Sequence, residues 1–225
     1  MNKLNLLLIV VILSCTSKGK KEVSDKSSIE SIVDSTIVMS AHTSILEEKY
    51  VGFTTSGGKI IVLNAKRDTV LSQFTPYPDF EFKDFNADGL NDVIVKYLNN
   101  TPGQKDLFLF NKAKKTFAEV KDFNKFPTPE AIEGTRYYYS YHKSGCADNY
   151  WDSDLFYIED SECHLIANIS GNECEGEKGI IVSQVYNGVK KQIDKFNIDV
   201  LNKYEDGKWG FIEDYWTRNY ARFVN

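Results

Sequence analysis

The chain has 225 residues, 42% of them hydrophobic and 13% aromatic, which is enough apolar material for the core of one domain. Its formal net charge is −5 at pH 7, and no cluster of basic residues follows the first 28 residues. This charge balance argues against a nucleic-acid partner.

The first residues predict export. Lys3 precedes an apolar run from Leu4 to Leu13, which has the length of a signal-peptide core and is too short to span a bilayer. The run ends in Ile12-Leu13-Ser14-Cys15, which resembles the lipobox of bacterial lipoproteins. The resemblance implies that residues 1–14 are a signal peptide and that Cys15 carries a diacylglyceryl group and an N-linked acyl chain such as palmitate. The alternative is an ordinary secretory signal that contains a cysteine.

The segment after Cys15 is polar, rich in lysine and serine, and free of aromatic residues up to Ser28. Such a composition does not bury enough apolar surface to offset the entropy of ordering. We expect residues 15–40 to be the lipidated N-terminus and a flexible tether, and residues 41–225 to form one domain. Thr16 follows the cysteine, which by the sorting rule of enteric bacteria favours an outer-membrane anchor, with the domain facing the periplasm or the cell exterior.

Strand patterns dominate the rest of the chain, because runs of β-branched and aromatic residues alternate with turn-forming Gly, Asn and Asp. The sequence Asn187-Gly188 is typical of a type I′ hairpin turn. The segment Pro127–Glu130 separates two halves of the predicted domain. The clearest strand runs are Lys59–Leu63, Val70–Phe74, Val93–Tyr97, Asp106–Phe110 and Ile180–Tyr186.

The most specific internal motif runs from Asp84 to Asp92, with oxygen-bearing side chains at its positions 1, 3, 5 and 9 and Gly89 at position 6. This spacing curls oxygen ligands around a hard cation, and three carboxylates favour Ca²⁺ over Mg²⁺. Glycine permits the sharp turn. The alternative is a solvated turn in a hairpin. The predicted calcium ligands are the side chains of Asp84, Asn86, Asp88 and Asp92 and the backbone carbonyl of Leu90.

The segments that flank this loop have strand patterns, so the motif resembles the calcium loop of FG-GAP and VCBS propeller repeats rather than a helix–loop–helix. Residues Phe82–Leu98, Asp106–Asn111 and Tyr137–Tyr141 together resemble a family of exported proteins with a propeller-like fold. Members of that family inhibit lysozyme-type muramidases or give immunity against secreted wall-degrading effectors. The resemblance implies an all-β antiparallel meander, propeller-like, and a muramidase or secreted effector as partner.

Three cysteines remain once Cys15 is assigned to the lipid. In an up-down-up arrangement of the strands near residues 136–142, 154–159 and 164–169, Cys146 and Cys174 lie at one end and Cys163 at the other. A strand rises about 3.3 Å per residue, so a bridge between opposite ends exceeds the ~7 Å Cα limit. The sequence therefore predicts a Cys146–Cys174 disulfide and an unpaired Cys163.

An aromatic and polar stretch surrounds Cys146. Tyr and Trp are enriched at protein interfaces, so a loop held by the disulfide is expected to present Tyr150, Trp151 and Asp152 to a partner. Packing of these aromatic residues around the disulfide is the alternative. His142 lies among carboxylates, but no nucleophile motif accompanies it, and a surface or hydrogen-bonded histidine is the favoured interpretation.

A short C-terminal helix is expected, with Asp214 as its N-cap and Trp216, Tyr220 and Phe223 on one face. The stretch Asp206–Ile212 resembles a single WG-type hairpin unit. Taken together, the sequence predicts a non-enzymatic, calcium-stabilised lipoprotein, held in the bilayer by the acyl chains of Cys15, that binds and inhibits a wall-degrading enzyme. The alternative is a glycan- or protein-binding surface module for adhesion or nutrient capture.

Overall fold

A computed structural model describes residues 36–224. The predicted signal peptide and the lipidated Cys15 lie outside the described residues. The predicted tether extends to residue 40, whereas strand β1 already begins at Ile37. In the described range, none of the helices has the length and apolar character needed to cross a membrane.

The first sheet is an antiparallel meander of four strands in chain order. In its inner strand β3, Ile60, Ile61 and Val62 are all buried. The strands of this sheet are β1 (Ile37–Ile45), β2 (Glu48–Thr55), β3 (Lys59–Leu63) and β4 (Thr69–Phe74).

The second sheet repeats the same meander of four antiparallel strands. The predicted calcium loop connects its first two strands. A short 3-10 helix, Phe123–Lys125, follows the sheet. The strands are β5 (Phe80–Lys83), β6 (Asp92–Lys96), β7 (Lys105–Asn111) and β8 (Thr116–Glu119).

The third sheet has seven strands, with the order β15-β14-β13-β12-β10-β9 and with β11 also pairing with β12. Its last hairpin confirms the predicted turn, because Asn187 and Gly188 both have positive φ, at 48° and 75°. The strands are β9 (Glu130–Ala131), β10 (Tyr137–Tyr139), β11 (His142–Gly145), β12 (Tyr150–Glu159), β13 (Glu162–Asn172), β14 (Gly179–Tyr186) and β15 (Val189–Phe196).

The three sheets stack through two apolar layers, because successive side chains of a strand point to opposite faces. In β6, Val93 and Val95 pack in the cluster shared with the first sheet, which includes Tyr50. Ile94, between them, packs with Tyr138 and Phe156 of the third sheet. This face-to-face stacking of antiparallel meanders confirms the predicted all-β, propeller-like architecture.

The other face of the third sheet is covered by helix α1 (Lys208–Asn219). The expected start of the helix was wrong: α1 begins six residues before Asp214, and Asp214 lies inside it, where it pairs with Arg218 (2.6 Å). The WG-type hairpin was also wrong, because residues 208–212 are helical. Further 3-10 helices are Cys146–Asp148, Ile198–Lys203 and Tyr220–Arg222.

Candidate functional site

The conformation of the predicted calcium loop, residues 84–91, is held by hydrogen bonds from its backbone N–H groups to its own side chains. The Asp84 carboxylate accepts from the N–H groups of Asp88 (3.2 Å) and Gly89 (2.8 Å). The Asp88 carboxylate accepts from Leu90 N–H (2.8 Å), and Asn86 Oδ1 accepts from Asp88 N–H (3.2 Å). Gly89 has a φ of 83°, the left-handed conformation that glycine adopts without strain.

Asp92 anchors this loop to the neighbouring strand. It is fully buried, and its two oxygens accept from Phe85 N–H (3.0 Å) and Phe110 N–H (2.8 Å). Burial raises the pKa of Asp92 to about 6; these two hydrogen bonds oppose the shift, and the carboxylates of Asp88 and Asp84 add to it. The loop therefore concentrates negative charge beside a buried carboxylate.

The chemistry of these donors fits a hard cation, since they are all oxygens and no lysine, arginine or histidine in residues 36–224 forms an ion pair with Asp84, Asp88 or Asp92. Within the described residues, no group of three or more His, Cys, Asp or Glu side chains is arranged so that it could hold a metal ion. Calcium binding stays a prediction.

A second candidate site lies on the face of the third sheet that also packs against the second sheet. Along β12, Phe156 lies in the apolar layer between the two sheets. Asp154, Asp152 and Tyr150 alternate with its buried positions and share the face of Phe156. The side chains on this face thus change from apolar to polar towards the disulfide end of the strand.

The polar half of this face is a groove of about 350 Å³, which we call the disulfide-end groove. Register places its residues in rows across the sheet: Tyr150 lies opposite Asn172, and Asp152 lies opposite Ser170, which in turn lies opposite Ile181. The side chains that define the groove are Ser144, Tyr150, Asp152, Ser170, Asn172, Glu177, Lys178, Ile181 and Lys195.

A hydrogen-bonded network borders the groove. His142 Nε2 lies 3.2 Å from an oxygen of Asp154, whose other oxygen accepts from Asn168 Nδ2 (2.7 Å). Asn168 Nδ2 also lies 3.2 Å from an Asp152 oxygen, and Asn168 Oδ1 accepts from Lys190 Nζ (2.7 Å). No buried side-chain nitrogen or oxygen in the described part of the chain lacks a partner, so this network is a rigid support for the groove.

The hydrogen bond to Asp154 raises the pKa of His142 above its usual value, and burial opposes the shift. The structure thus places His142 as a hydrogen-bonded histidine. Ser144, two residues further along the chain, donates to Asp152. The two side chains therefore serve different carboxylates of one network.

The structure separates the three predicted partner-binding residues. Tyr150 and Asp152 both line the groove and are partly exposed. Trp151 is fully buried in the core between the third sheet and α1, and its indole N–H donates to Glu173 (2.9 Å). The prediction that Trp151 is presented to a partner was wrong, because alternation along a strand turns it away from its neighbours.

The predicted cysteine pair lies at the end of the groove. Cys146 and Cys174 are bonded, with their Cα atoms 6.5 Å apart. Cys163 has no disulfide partner among residues 36–224 and lies at the opposite end of β13. Sequence reasoning missed Asp154, Asn168 and Lys190. The acidic residues at alternate positions along 150–156 were a signal for Asp154, whereas no sequence signal indicated Asn168 or Lys190.

Fold and site together define an antiparallel all-β protein of stacked meanders with a polar groove on its last sheet.

No family model matches the chain, and no curated protein matches it. Among solved structures, a Xanthomonas type IV secretion system related protein is similar, with 14% sequence identity and a TM-score of 0.44. The match covers 69% of this chain and 93% of that chain.

Proposed function

We propose that this chain is an exported, lipid-anchored binding protein that holds a protein partner in the disulfide-end groove. The observation that carries the proposal is the groove itself, which offers Tyr150, Asp152 and Lys195 on one sheet face. The network around Asn168 supports its base, and the Cys146–Cys174 bridge fixes its end. Partner-binding sites on rigid elements lose little entropy on association.

The partner class we propose is a cell-wall-degrading enzyme of the muramidase type, inhibited by this binding. The support is the resemblance of the calcium loop and strand order to exported inhibitors and immunity proteins. The net charge of −5 is also suited to electrostatic attraction of a basic enzyme.

The inhibition is tested with residues 27–225, which include the whole compact unit that begins at Thr36. Purified protein should lower the activity of at least one muramidase class at a near-stoichiometric ratio. Unchanged activity across several muramidase classes, in particular together with binding to a glycan array, would reject inhibition and favour the glycan-binding alternative.

We propose calcium as the ligand of the loop that connects β5 and β6, with a structural role in fixing that hairpin. Bound Ca²⁺ would offset two of the three negative charges of Asp84, Asp88 and Asp92, which lack a cationic partner among the described residues. Calcium should raise the melting temperature of the wild-type chain, and Asp88→Ala should abolish the rise. Asp160→Asn, at an exposed turn of the third sheet, should retain it. A wild-type melting temperature that is the same in calcium and in chelator would show that the loop binds none.

The anchor on Cys15 is tested in cells that export the full chain. The mature protein should partition with membranes and carry an N-terminal peptide whose mass includes three acyl chains. Cys15→Ser should release it into the soluble extracytoplasmic fraction. Membrane association that survives this substitution would contradict the lipid anchor.

A further inference from the structure

A second pocket, of about 340 Å³, lies where strands β9 and β10 meet the first turns of α1. It shares no lining residue with the disulfide-end groove. Its surface combines aromatic rings with carboxylates. The lining residues are Thr128, Glu130, Tyr139, Tyr141, Trp209, Ile212 and Glu213.

The aromatic part of this pocket is preformed. The rings of Tyr141 and Trp209 are in contact, with centroids 3.8 Å apart, and the Tyr141 hydroxyl donates to Asp148. Ile212, which is almost fully buried, provides the apolar base. Trp209 is 46% exposed, although it lies on a helix whose Trp216 is completely buried. The exposed indole therefore belongs to the pocket and not to the core.

The carboxylates of the pocket form no ion pair within the described residues, although the charge of Lys105 interacts with Glu130 from farther away. Glu130 and Glu213 are both exposed, and neither forms an ion pair with a lysine, arginine or histidine of residues 36–224. Burial raises the pKa of Tyr139 to about 12, and the charges of Glu213 and Glu130 contribute to the shift. Both carboxylates thus act electrostatically on the same ring of the pocket.

Within the described residues, Lys208 is the cation that lies over these rings, and it is already paired. Lys208 Nζ lies 5.5 Å from the ring centre of Tyr141 and 5.8 Å from that of Trp209. It forms an ion pair with Asp148 at 3.1 Å and is not among the residues that line the pocket. The contact shows that these rings accept a cation, and it leaves Glu130 and Glu213 unneutralised.

We propose that the pocket formed by Tyr139, Tyr141, Trp209, Glu130 and Glu213 binds an organic cation, a guanidinium or alkylammonium group. The negative faces of aromatic rings attract such cations, with Trp the strongest. A guanidinium also matches a carboxylate with two parallel hydrogen bonds. The cation is either a free small molecule or the side chain of a basic protein, and both present the same group.

Tryptophan fluorescence gives a direct test on the protein of residues 27–225. Trp209 is the exposed member of the three tryptophans, since Trp151 and Trp216 are fully buried. Titration with agmatine should change the emission, and a blocked Gly-Arg-Gly tripeptide should do the same if basic side chains fit. The uncharged tripeptide with citrulline in place of arginine is the matched control and should have no effect. Trp209→Phe should remove the agmatine-induced change.

Two variants test whether the carboxylates of Glu130 and Glu213 bind the cation. The double substitution Glu130→Gln and Glu213→Gln keeps size and hydrogen bonding, and should weaken agmatine binding by about tenfold or more. Glu47→Gln, in the exposed β1–β2 turn, should bind as wild type. The proposal is overturned by any of three results: no response to agmatine at about 10 mM, equal binding of the citrulline peptide, or an unchanged affinity in the double variant. None of these results bears on the disulfide-end groove, whose test uses other residues.

Discussion

Trp151 and Gly171 face each other across strands β12 and β13. A Cβ atom added at Gly171 would lie 2.0 Å from the Trp151 indole, so the ring occupies the space that any other residue would need. The indole in turn reaches Glu173 and packs in the core beneath α1. Because Gly171 has no side chain, Trp151, the largest residue of β12, can be buried.

Gly171→Ala should lower the free energy of unfolding by about 2 kcal/mol, because overpacking of a close-packed core costs 1–3 kcal/mol. Urea unfolding at equilibrium measures the loss. In a Trp151→Ala background the same glycine substitution should cost much less, since the clashing ring is absent. Equal losses in the two backgrounds would show that the close approach does not constrain residue 171.

His142 gives the stability a predictable pH dependence. Its folded-state pKa is raised, chiefly by Asp154, with Asp152 adding to the shift and Lys190 opposing it. A group whose pKa rises on folding stabilises the protein below its unfolded pKa, about 6.5 for histidine, and the contribution disappears as pH rises through the folded pKa. Protonation of His142 therefore stabilises the network beside the groove.

Urea unfolding measured at several pH values between about 5.5 and 8.5, the range in which histidine titrates, should show this effect. The free energy of unfolding of His142→Gln should depend less on pH than that of wild type. A slope that is identical in wild type and His142→Gln would rule out the proposed linkage.

At the scale of single elements, the sequence predicts those that depend on local chemistry. The Asn187-Gly188 turn requires two residues with positive φ, and few residue pairs other than this one supply them. The predicted helix start, with Asp214 as N-cap, lies seven residues after the observed N-cap Gly207. The reason is that Asp206–Ile212 resembles a WG-type hairpin unit, which argues against a helix there. Burial of Phe211, Ile212, Tyr215 and Trp216 against the third sheet overrides that local preference, and such tertiary packing is not visible in one sequence.

The cysteine bridge joins the 3-10 helix that precedes β12 to the segment after β13, and its two cysteines are 28 positions apart in the sequence. Restriction of the unfolded chain by a loop of this size stabilises the folded state by about 3 kcal/mol. The double variant Cys146→Ser and Cys174→Ser should lose roughly that amount in urea unfolding, whereas Cys163→Ser should lose much less. Mass mapping of residues 27–225 should find Cys163 as the alkylated thiol; Cys163 within a bridge would contradict the assignment.

At the scale of the whole molecule, the order of strands indicates stacked meanders, because hydrophobic runs recur at short spacing with turns between them. The disulfide-end groove could not be predicted in the same way. It exists because the face of β12 continues beyond the apolar layer that the second sheet covers, and the extent of that cover depends on how two sheets meet. Tyr150 and Asp152 were identified by residue type, whereas Asn168 and Lys190 join them only through the register of β13, β14 and β15.

The central claim is that the disulfide-end groove binds a protein partner. The most direct test is calorimetric titration of a muramidase that residues 27–225 inhibit, repeated with groove variants. Tyr150→Ala and Asp152→Lys should each weaken binding by about tenfold or more, as expected for residues at the centre of an interface. The matched changes Tyr186→Ala, at the exposed end of β14, and Asp160→Lys, at an exposed turn of the same sheet, should bind as wild type. Groove variants that fold and bind with unchanged affinity would contradict the account.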